Sequence, residues 1–298
     1  MKDISVIVVS YNTQETTKLA LDAIQKSFLL SPNLTYEIIT IDNNSEDGSV
    51  EMLRSYASIS KNGSVKMIFN NDNVGFGAAN NQGIFKAEGD YILLLNSDVI
   101  ADSVDFTHLI SYMEKHPNVG VLTVRVELPS KSIDPASHRG FPTPWRSFTY
   151  FTKLQALSKP IPLLNKLFGG YHLVHHDLSK IHEIDSPTAA FYFTRKKIME
   201  AINGFDEAFF MYREDIDMSY RIKALGYSIV YYPLYTVLHL KHQSGLKHKK
   251  KKTKSKTTYH FYNAMKIFYD KHYARKNLWV VNALIHKAID FKHWLASK

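Results

Sequence analysis

The sequence contains no cysteine. Disulfides and thiolate metal sites are therefore excluded, and a reducing cytoplasm suits the chain. It also lacks any apolar stretch approaching the roughly 18–20 residues that cross a bilayer. The N-terminal run Ile4–Val9 is too short for the core of a signal peptide. The expectation is a cytoplasmic protein, free or peripheral on the inner face of the cytoplasmic membrane. No internal repeat is visible, and no Gly-x-x-x-x-Gly-Lys-Ser/Thr loop occurs. Negative charge is scarce: 28 acidic residues stand against 37 basic ones, a formal charge of +9. Much of the excess lies in one segment, Lys247 to Lys256, where seven of ten residues are lysine. Such a balance favours an anionic partner: nucleic acid, phospholipid or a phosphorylated substrate.

What is present is a long strand–helix alternation. With 298 residues, 45% of them hydrophobic, the chain can build one large α/β domain with a smaller appendage. Ile4–Val9 is a β-branched run of the kind buried on both faces of a sheet. Helical spacing follows at Thr16–Lys26, a strand at Glu37–Ile41, a helix at Ser49–Tyr56 and a strand at Val65–Phe69. A helix at Phe76–Ala87 and a strand at Tyr91–Leu95 complete this half. The order predicts right-handed βαβ units and a mostly parallel sheet flanked by helices. The proline-containing stretch from Ser130 to Asp185 reads as loops and short helices, either an acceptor-side flap or an ordinary packed excursion. Strand-like Thr188–Thr194, helices at Lys196–Ile202 and Asp215–Leu225, and short strands at Tyr227–Tyr232 and Thr236–Leu240 follow. Two helices, Tyr259–Tyr273 and Leu278–Leu295, close the chain.

Ligands of open α/β sheets sit beyond the carboxyl ends of the strands. Four polar clusters fall there: Ser10-Tyr11-Asn12, Asp42-Asn43-Asn44, Asp72-Asn73 and Asn96-Ser97-Asp98. The apolar strand before Asp98 gives that carboxylate a stiff support. Mg²⁺ or Mn²⁺ prefers such oxygen ligands, although a strand-end aspartate also serves as a helix cap. Glu214, Asp215 and Asp217 open a helix, where acidic residues offset the dipole. Asp217 and Arg221 are spaced for a surface ion pair. In a cleft, one of these carboxylates suits a general base. His239 follows a short strand; it is either a satisfied structural histidine or a metal ligand.

At these residues the sequence resembles the inverting family-two glycosyltransferases of GT-A fold, in particular their bacterial rhamnosyltransferase-like branch. The shared pieces run in family order: Val8 to Asn12, Ile41 to Ser49, Asn73 to Gly83, Leu94 to Asp98, Gly204 through Arg221, and His239. The resemblance implies a GT-A domain over residues 1–245, with a nucleotide-binding half (1–98) and an acceptor and catalytic half (99–245). Residues 246–298 would be a basic helical extension. It implies that Ser10, Tyr11, Asn12 and Asn44 line the nucleotide pocket, with Asp42 reading the N3–H of a pyrimidine. Asn73, Gly75 and Asn80 would lie near the base, ribose and phosphates, and Asn96 and Ser97 would also line the donor site. A glycine at 75 would let backbone approach the ligand closely. Asp98 and His239 would hold a divalent cation, Mn²⁺ or Mg²⁺. Asn96 departs from the family's Asp-x-Asp pattern, which supplies one carboxylate more. Asp215 would be the general base, with Glu214 the alternative.

The donor implied is a nucleotide sugar, dTDP-rhamnose first, with UDP-galactose, UDP-glucose and other UDP-sugars sharing the motifs. The acceptor implied is a glycan or a polyprenyl-diphosphate-linked saccharide in cell-surface polysaccharide synthesis. The lysine run, with Trp279 and Trp294 after it, suits an anionic bilayer, or else a solvated loop and packed helices. Three other classes compete. A nucleic-acid-binding protein has the charge but no recognition signature, so no nucleic acid is expected. A nucleotidyltransferase of related fold lacks its Gly-rich basic loop. A non-catalytic sugar-nucleotide-binding protein would not need Asp98, Asp215 and His239 together.

Overall fold

The computed structural model describes residues 2–59, 64–158, 160–241 and 251–297. The elements run β1 (Lys2–Ser10), α1 (Gln14–Leu29), β2 (Tyr36–Asp42), α2 (Ser49–Ile59), β3 (Ser64–Phe69), α3 (Phe76–Lys86) and β4 (Gly89–Asn96). Then come β5 (Val99–Ile100), α4 (Phe106–Lys115), β6 (Val119–Glu127), and three short helices, α5 (Pro144–Phe151), α6 (Leu154–Ser158) and α7 (Pro162–Phe168). The remainder is β7 (His182–Ile184), β8 (Phe191–Arg195), α8 (Lys196–Ala201), α9 (Glu214–Ala224), β9 (Ser228–His239), α10 (Lys251–His272) and α11 (Trp279–Ser297). The first part of the lysine run, 247–250, lies outside the described residues.

The strands form one mixed sheet in the order β3-β2-β1-β4-β8-β6-β9-β5, with β7 on β9. The long ladders are parallel: β1 with β2 and β4, β2 with β3, and β6 with β9. The period-two rule of a strand sorts the core. Ile4, Val6 and Val8 of β1, with Leu93 and Leu95 of β4, face one hydrophobic layer that includes Leu21 and Ile24 of α1 and Phe106 and Leu109 of α4. Ile7, Ile92 and Leu94 face the opposite layer, with Ala79 of α3 and Met218 and Ile222 of α9. Helices on both faces cover a sheet whose central strands β1 and β4 are largely apolar, as the β-branched runs require.

Four elements carry no expectation from sequence: β5, α4, β6, and β7, a strand within the stretch read as loops and short helices. One expectation is corrected. The two short strands at Tyr227–Tyr232 and Thr236–Leu240 are a single strand, β9. Pro233 interrupts its ladder without ending it, because the register against β6 shifts between Val124 and Arg125, where the strand jumps from Tyr232 to Thr236. A third cluster, Phe209 and Ile216 with Ala264 and Phe268, docks α10 against α9 and the loop before it. The C-terminal helices therefore touch the element that carries the acidic residues.

Candidate active site

Parallel register aligns the polar ends of the strands. Ser10 pairs with Asp42, Asp42 with Phe69, and Val9 with Asn96, so the clusters after β1, β2, β3 and β4 share one sheet edge.

The loops after β1 and β2 are laced together. Asn12, at φ 53°, donates its N–H to Ser45 Oγ (2.9 Å) and accepts from the Glu46 N–H at Oδ1 (2.7 Å). Asp42 is 1% exposed; its Oδ2 accepts from the Ser45 N–H at 2.9 Å, while its Oδ1 is buried with no partner. A buried carboxylate oxygen without a donor is expensive unless a ligand supplies one. Asn44, at φ 68°, and Tyr11 are exposed beside it. The Ser10 hydroxyl is fully buried against Thr13 (3.2 Å) and Thr17 (3.1 Å), and Thr13 also meets Ser97 Oγ at 3.2 Å. Ser10 and Ser97 thus tie the ends of β1 and β4 through Thr13.

Asn43, which the sequence reading assigns no role, clamps the loop at residues 70–75. Its Oδ1 accepts from Asn70 Nδ2 (3.1 Å) and the Val74 N–H (3.1 Å). Its Nδ2 donates to Asn73 Oδ1 (3.0 Å) and the Gly75 carbonyl (3.3 Å). Asn73 Oδ1 also accepts from the Gly75 N–H at 3.0 Å. Gly75 has φ 93°, and a Cβ there would meet the Phe210 carbonyl at 2.6 Å. The close approach this glycine permits is to the loop before α9, where the Phe76 N–H donates to the same carbonyl (2.9 Å). Asn80 bonds back to the Phe76 carbonyl (2.9 Å) within α3. Its neighbour Asn81 reaches across, giving to the Phe205 carbonyl and Glu207 and taking the Phe205 N–H.

Asp98 and His239 meet because β5 runs antiparallel to the end of β9, with Val99 opposite His239. Asp98 Oδ1 is 3.2 Å from His239 Nε2. On the other side of the ring, Nδ1 lies 3.1 Å from Asp134 Oδ2, and Lys241 donates to Asp134 Oδ1 at 2.8 Å. Burial opposes charge on the imidazole, but Asp134 and Asp98 outweigh it and hold His239 up at about 9. The same contacts keep the buried Asp134 carboxyl well below its ordinary range, against the effect of burial. A metal-binding histidine commonly gives its other ring nitrogen to a carboxylate, which is the arrangement of Asp98, His239 and Asp134. Near them Asn96 Oδ1 is buried without a partner. Among the described residues no third His, Asp, Glu or Cys joins a metal-sized cluster. These donors fit a hard cation whose remaining ligands come from a bound phosphate.

The acidic start of α9 is buried, not solvated. Asp215 Oδ2 is held by Arg139 Nη2 at 2.6 Å, and its Oδ1 accepts from the Ile216 N–H at 2.8 Å. Glu214 Oε2 has no partner; burial, then the adjacent Asp215, pushes this carboxyl up to about 8. The surface ion pair expected of Asp217 and Arg221 is corrected. Asp217 is 0% exposed, 2.8 Å from Arg221, 2.8 Å from Lys271 and 2.7 Å from His272. Arg221 continues to the Ile202 and Gly204 carbonyls. The i, i+4 spacing describes one helix and is silent about α10, which covers it. Arg139 and Asp134 carry no sequence signal either, since both sit in an aperiodic proline-containing stretch. Two clefts lie elsewhere: one of about 370 Å³ is lined by Trp145, His175, His176 and Lys223, another of about 380 Å³ by Asn81, Phe85 and Lys271.

The chain is similar to known glycosyltransferases at low identity. The chain is 25% identical over 241 residues to the rhamnosyltransferase WbbL of Escherichia coli K12, covering 80% of this chain and 84% of that one. It is 25% identical over 234 residues to the N-acetylglucosaminyl-diphospho-decaprenol L-rhamnosyltransferase of Mycobacterium tuberculosis H37Rv, covering 73% and 72%. Its fold matches the mannosyltransferase PcManGT from Pyrobaculum calidifontis, solved with GDP-Man and Mn²⁺. The TM-score is 0.56 at 14% identity, over 89% of this chain and 65% of that one. The sequence model described as Glycosyl transferase family 2 matches residues 5–172. With a mostly parallel GT-A-like sheet, helices on both faces and the strand-end clusters in family order, the chain belongs to glycosyl transferase family 2.

Proposed function

We propose that the chain transfers a sugar from a nucleotide-diphosphate donor, dTDP-rhamnose first, to a saccharide or polyprenyl-diphosphate-linked acceptor, with inversion at the anomeric carbon. The observation that carries the reading is the Asp98–His239–Asp134 chain at the sheet edge that also holds the orphaned Asp42 Oδ1. Asp42 is the acceptor for a base N–H, since its Oδ1 is buried at the end of β2 with no partner among the described residues. Asp98 and His239 hold the divalent cation, and Asp134 fixes the imidazole. When bound, the cation supplies positive charge to the departing diphosphate.

Asp215 is the base. It is the ion-paired member of the acidic pair, whereas burial and the adjacent Asp215 favour the protonated form of Glu214. Arg139 fixes the Asp215 side chain. Asp215 takes the acceptor hydroxyl proton as the acceptor oxygen forms its bond to the anomeric carbon. The bond to the donor phosphate breaks on the opposite face, its electron pair leaving with the nucleoside diphosphate. A single displacement inverts the centre.

Two further parts of the reading concern place. Residues 1–245 act as the transferase domain, 1–98 on the nucleotide side and 99–245 on the acceptor side; 246–298 form its extension. Contact with an anionic membrane is supported by α11, where Val280, Leu284, Phe291 and Leu295 are exposed along one helical face with Lys287 among them. Phe148, Leu163 and Leu167 of α5 and α7 are also exposed, and Lys292 of α11 lies over the Phe151 ring. No helix among the described residues is long and apolar enough to cross a membrane. A thermal-shift panel of dTDP-, UDP- and GDP-sugars with Mn²⁺ or Mg²⁺ tests the donor. dTDP-rhamnose should stabilise most; a larger shift from a UDP-sugar replaces the donor, and no shift from any of them removes the reading.

A further inference from the structure

Arg213 stands directly before α9 and is 9% exposed. It has φ 65°, and Tyr212 before it has φ 71°. Successive bulky residues in the left-handed region are strained, and such strain persists where the surroundings over-determine it. The side chain this turn delivers has no obvious structural occupation. Among the described residues, its guanidinium forms no hydrogen bond and no ion pair, and its Nε is buried without a partner.

The neighbours do not neutralise it. Burial disfavours its charge, and Arg139 repels it, while Tyr171, Asp215 and Tyr273 favour it. Asp215 is already held by Arg139 at 2.6 Å and by the Ile216 N–H. Arg139 likewise keeps a buried Nε with no acceptor. Burial and the adjacent Asp215 favour the protonated form of Glu214, which makes it a poor counter-ion. Two guanidiniums thus share one carboxylate. A buried charge without a counter-ion is costly to the fold, and a ligand that completes it recovers that cost.

We propose that Arg213, together with Arg139, forms an oxyanion site beside Asp215 that binds a phosphoryl or diphosphoryl group of a substrate. Guanidinium forks match phosphate oxygens in pairs. The start of α9, an eleven-residue helix, adds partial positive charge on the same side. Two substrates bring this chemistry: the donor with its own diphosphate, and an acceptor linked through diphosphate to a lipid. The assignment of a source rests on the transferase reading; the binding itself does not.

Calorimetric titration with inorganic pyrophosphate, without divalent cation, tests the site. The wild type, Arg213→Gln and Arg213→Lys are compared, and UDP, dTDP and GDP are titrated separately with Mn²⁺. Pyrophosphate should bind the wild type, bind Arg213→Gln at least tenfold more weakly, and fall between for Arg213→Lys. Ligand-free Arg213→Gln should melt no lower than wild type, since it sheds an unpaired buried charge. No pyrophosphate binding to wild type, equal binding to Arg213→Gln, or a lower melting point in both variants overturns the proposal. An unchanged nucleoside diphosphate affinity in Arg213→Gln assigns the site to the acceptor, and a parallel tenfold loss assigns it to the donor. If no nucleoside diphosphate binds wild type while pyrophosphate does, the donor reading fails and the oxyanion site stands.

Discussion

Asp98 Oδ1 lies 3.2 Å from His239 Nε2, and the far side of that imidazole is held by Asp134 at 3.1 Å. Strand pairing brings the three together from distant parts of the chain, through the antiparallel contact of β5 with β9 and the loop after β6. Asp134 touches neither Asp98 nor solvent, so its role is to orient the ring and fix where the imidazole proton sits.

Asp134→Asn leaves Asp98 and His239 in place and removes the carboxylate that holds the imidazole and pairs with Lys241. It should weaken Mn²⁺-dependent binding of a nucleoside diphosphate by about 10–100-fold. Titrating UDP or dTDP at a series of Mn²⁺ concentrations reads the effect. An unaltered Mn²⁺ dependence would show that His239 is positioned by something else.

Asp217 predicts an acid limit to stability. Burial alone would raise its carboxyl, but His272, Arg221 and Lys271 hold it down at about 2, against about 3.9 in an unfolded chain. Because the folded value is depressed, the contribution is complete above pH 4 and is lost as pH falls through 2. Asp217→Asn leaves the Arg221 and Lys271 cations facing a neutral group and should cost about 3 kcal/mol at pH 7. Urea unfolding at pH 7, 4 and 2.5 should find the gap to wild type shrinking only between the last two. A gap that is the same at all three would remove the ion network as its cause.

Glu214 predicts the opposite slope. Its folded carboxyl, raised to about 8 by burial and by Asp215, favours the protonated form. The stability it contributes is complete below about pH 4.3, its ordinary range, and is lost as pH rises through 8. Glu214→Gln should therefore melt above wild type at pH 8.5 and level with it at pH 4.5. The reverse order would mean that Glu214 is ionised in the folded protein.

The apolar face of α11 yields a binding prediction. Leu284→Glu with Phe291→Glu should abolish flotation with phosphatidylglycerol vesicles and keep the helical circular dichroism of wild type. Each of the two side chains withholds roughly 1.5–3 kcal/mol of burial while exposed. Vesicle binding that survives both changes assigns that face to another partner.

The first half of the fold and its site edge were open to reading because they obey local rules. Ile4, Val6 and Val8 alternate with Ile7, and each strand ends in turn residues whose parallel register makes one edge of them. Asp42, Asp98 and His239 sit at strand ends, where a stiff support meets a polar turn. Asp134, Arg139 and Arg213 were not legible in the same way. Each acts through a residue far away in the chain, and no periodicity marks such a partner. Asp217 shows the same limit: spacing along α9 pairs it with Arg221, while Lys271 and His272 arrive from α10. Pro233 misleads in the other direction, since a proline that ends a strand in isolation is absorbed here by a register shift.

The most direct measurement is release of nucleoside diphosphate from a nucleotide-sugar, with acceptor and Mn²⁺, by wild type and by Asp215→Asn. The account predicts turnover by wild type, a fall of about 10²–10⁴-fold in kcat for Asp215→Asn, and an unchanged donor dissociation constant. Normal turnover by Asp215→Asn, with Glu214→Gln inactive instead, would contradict it.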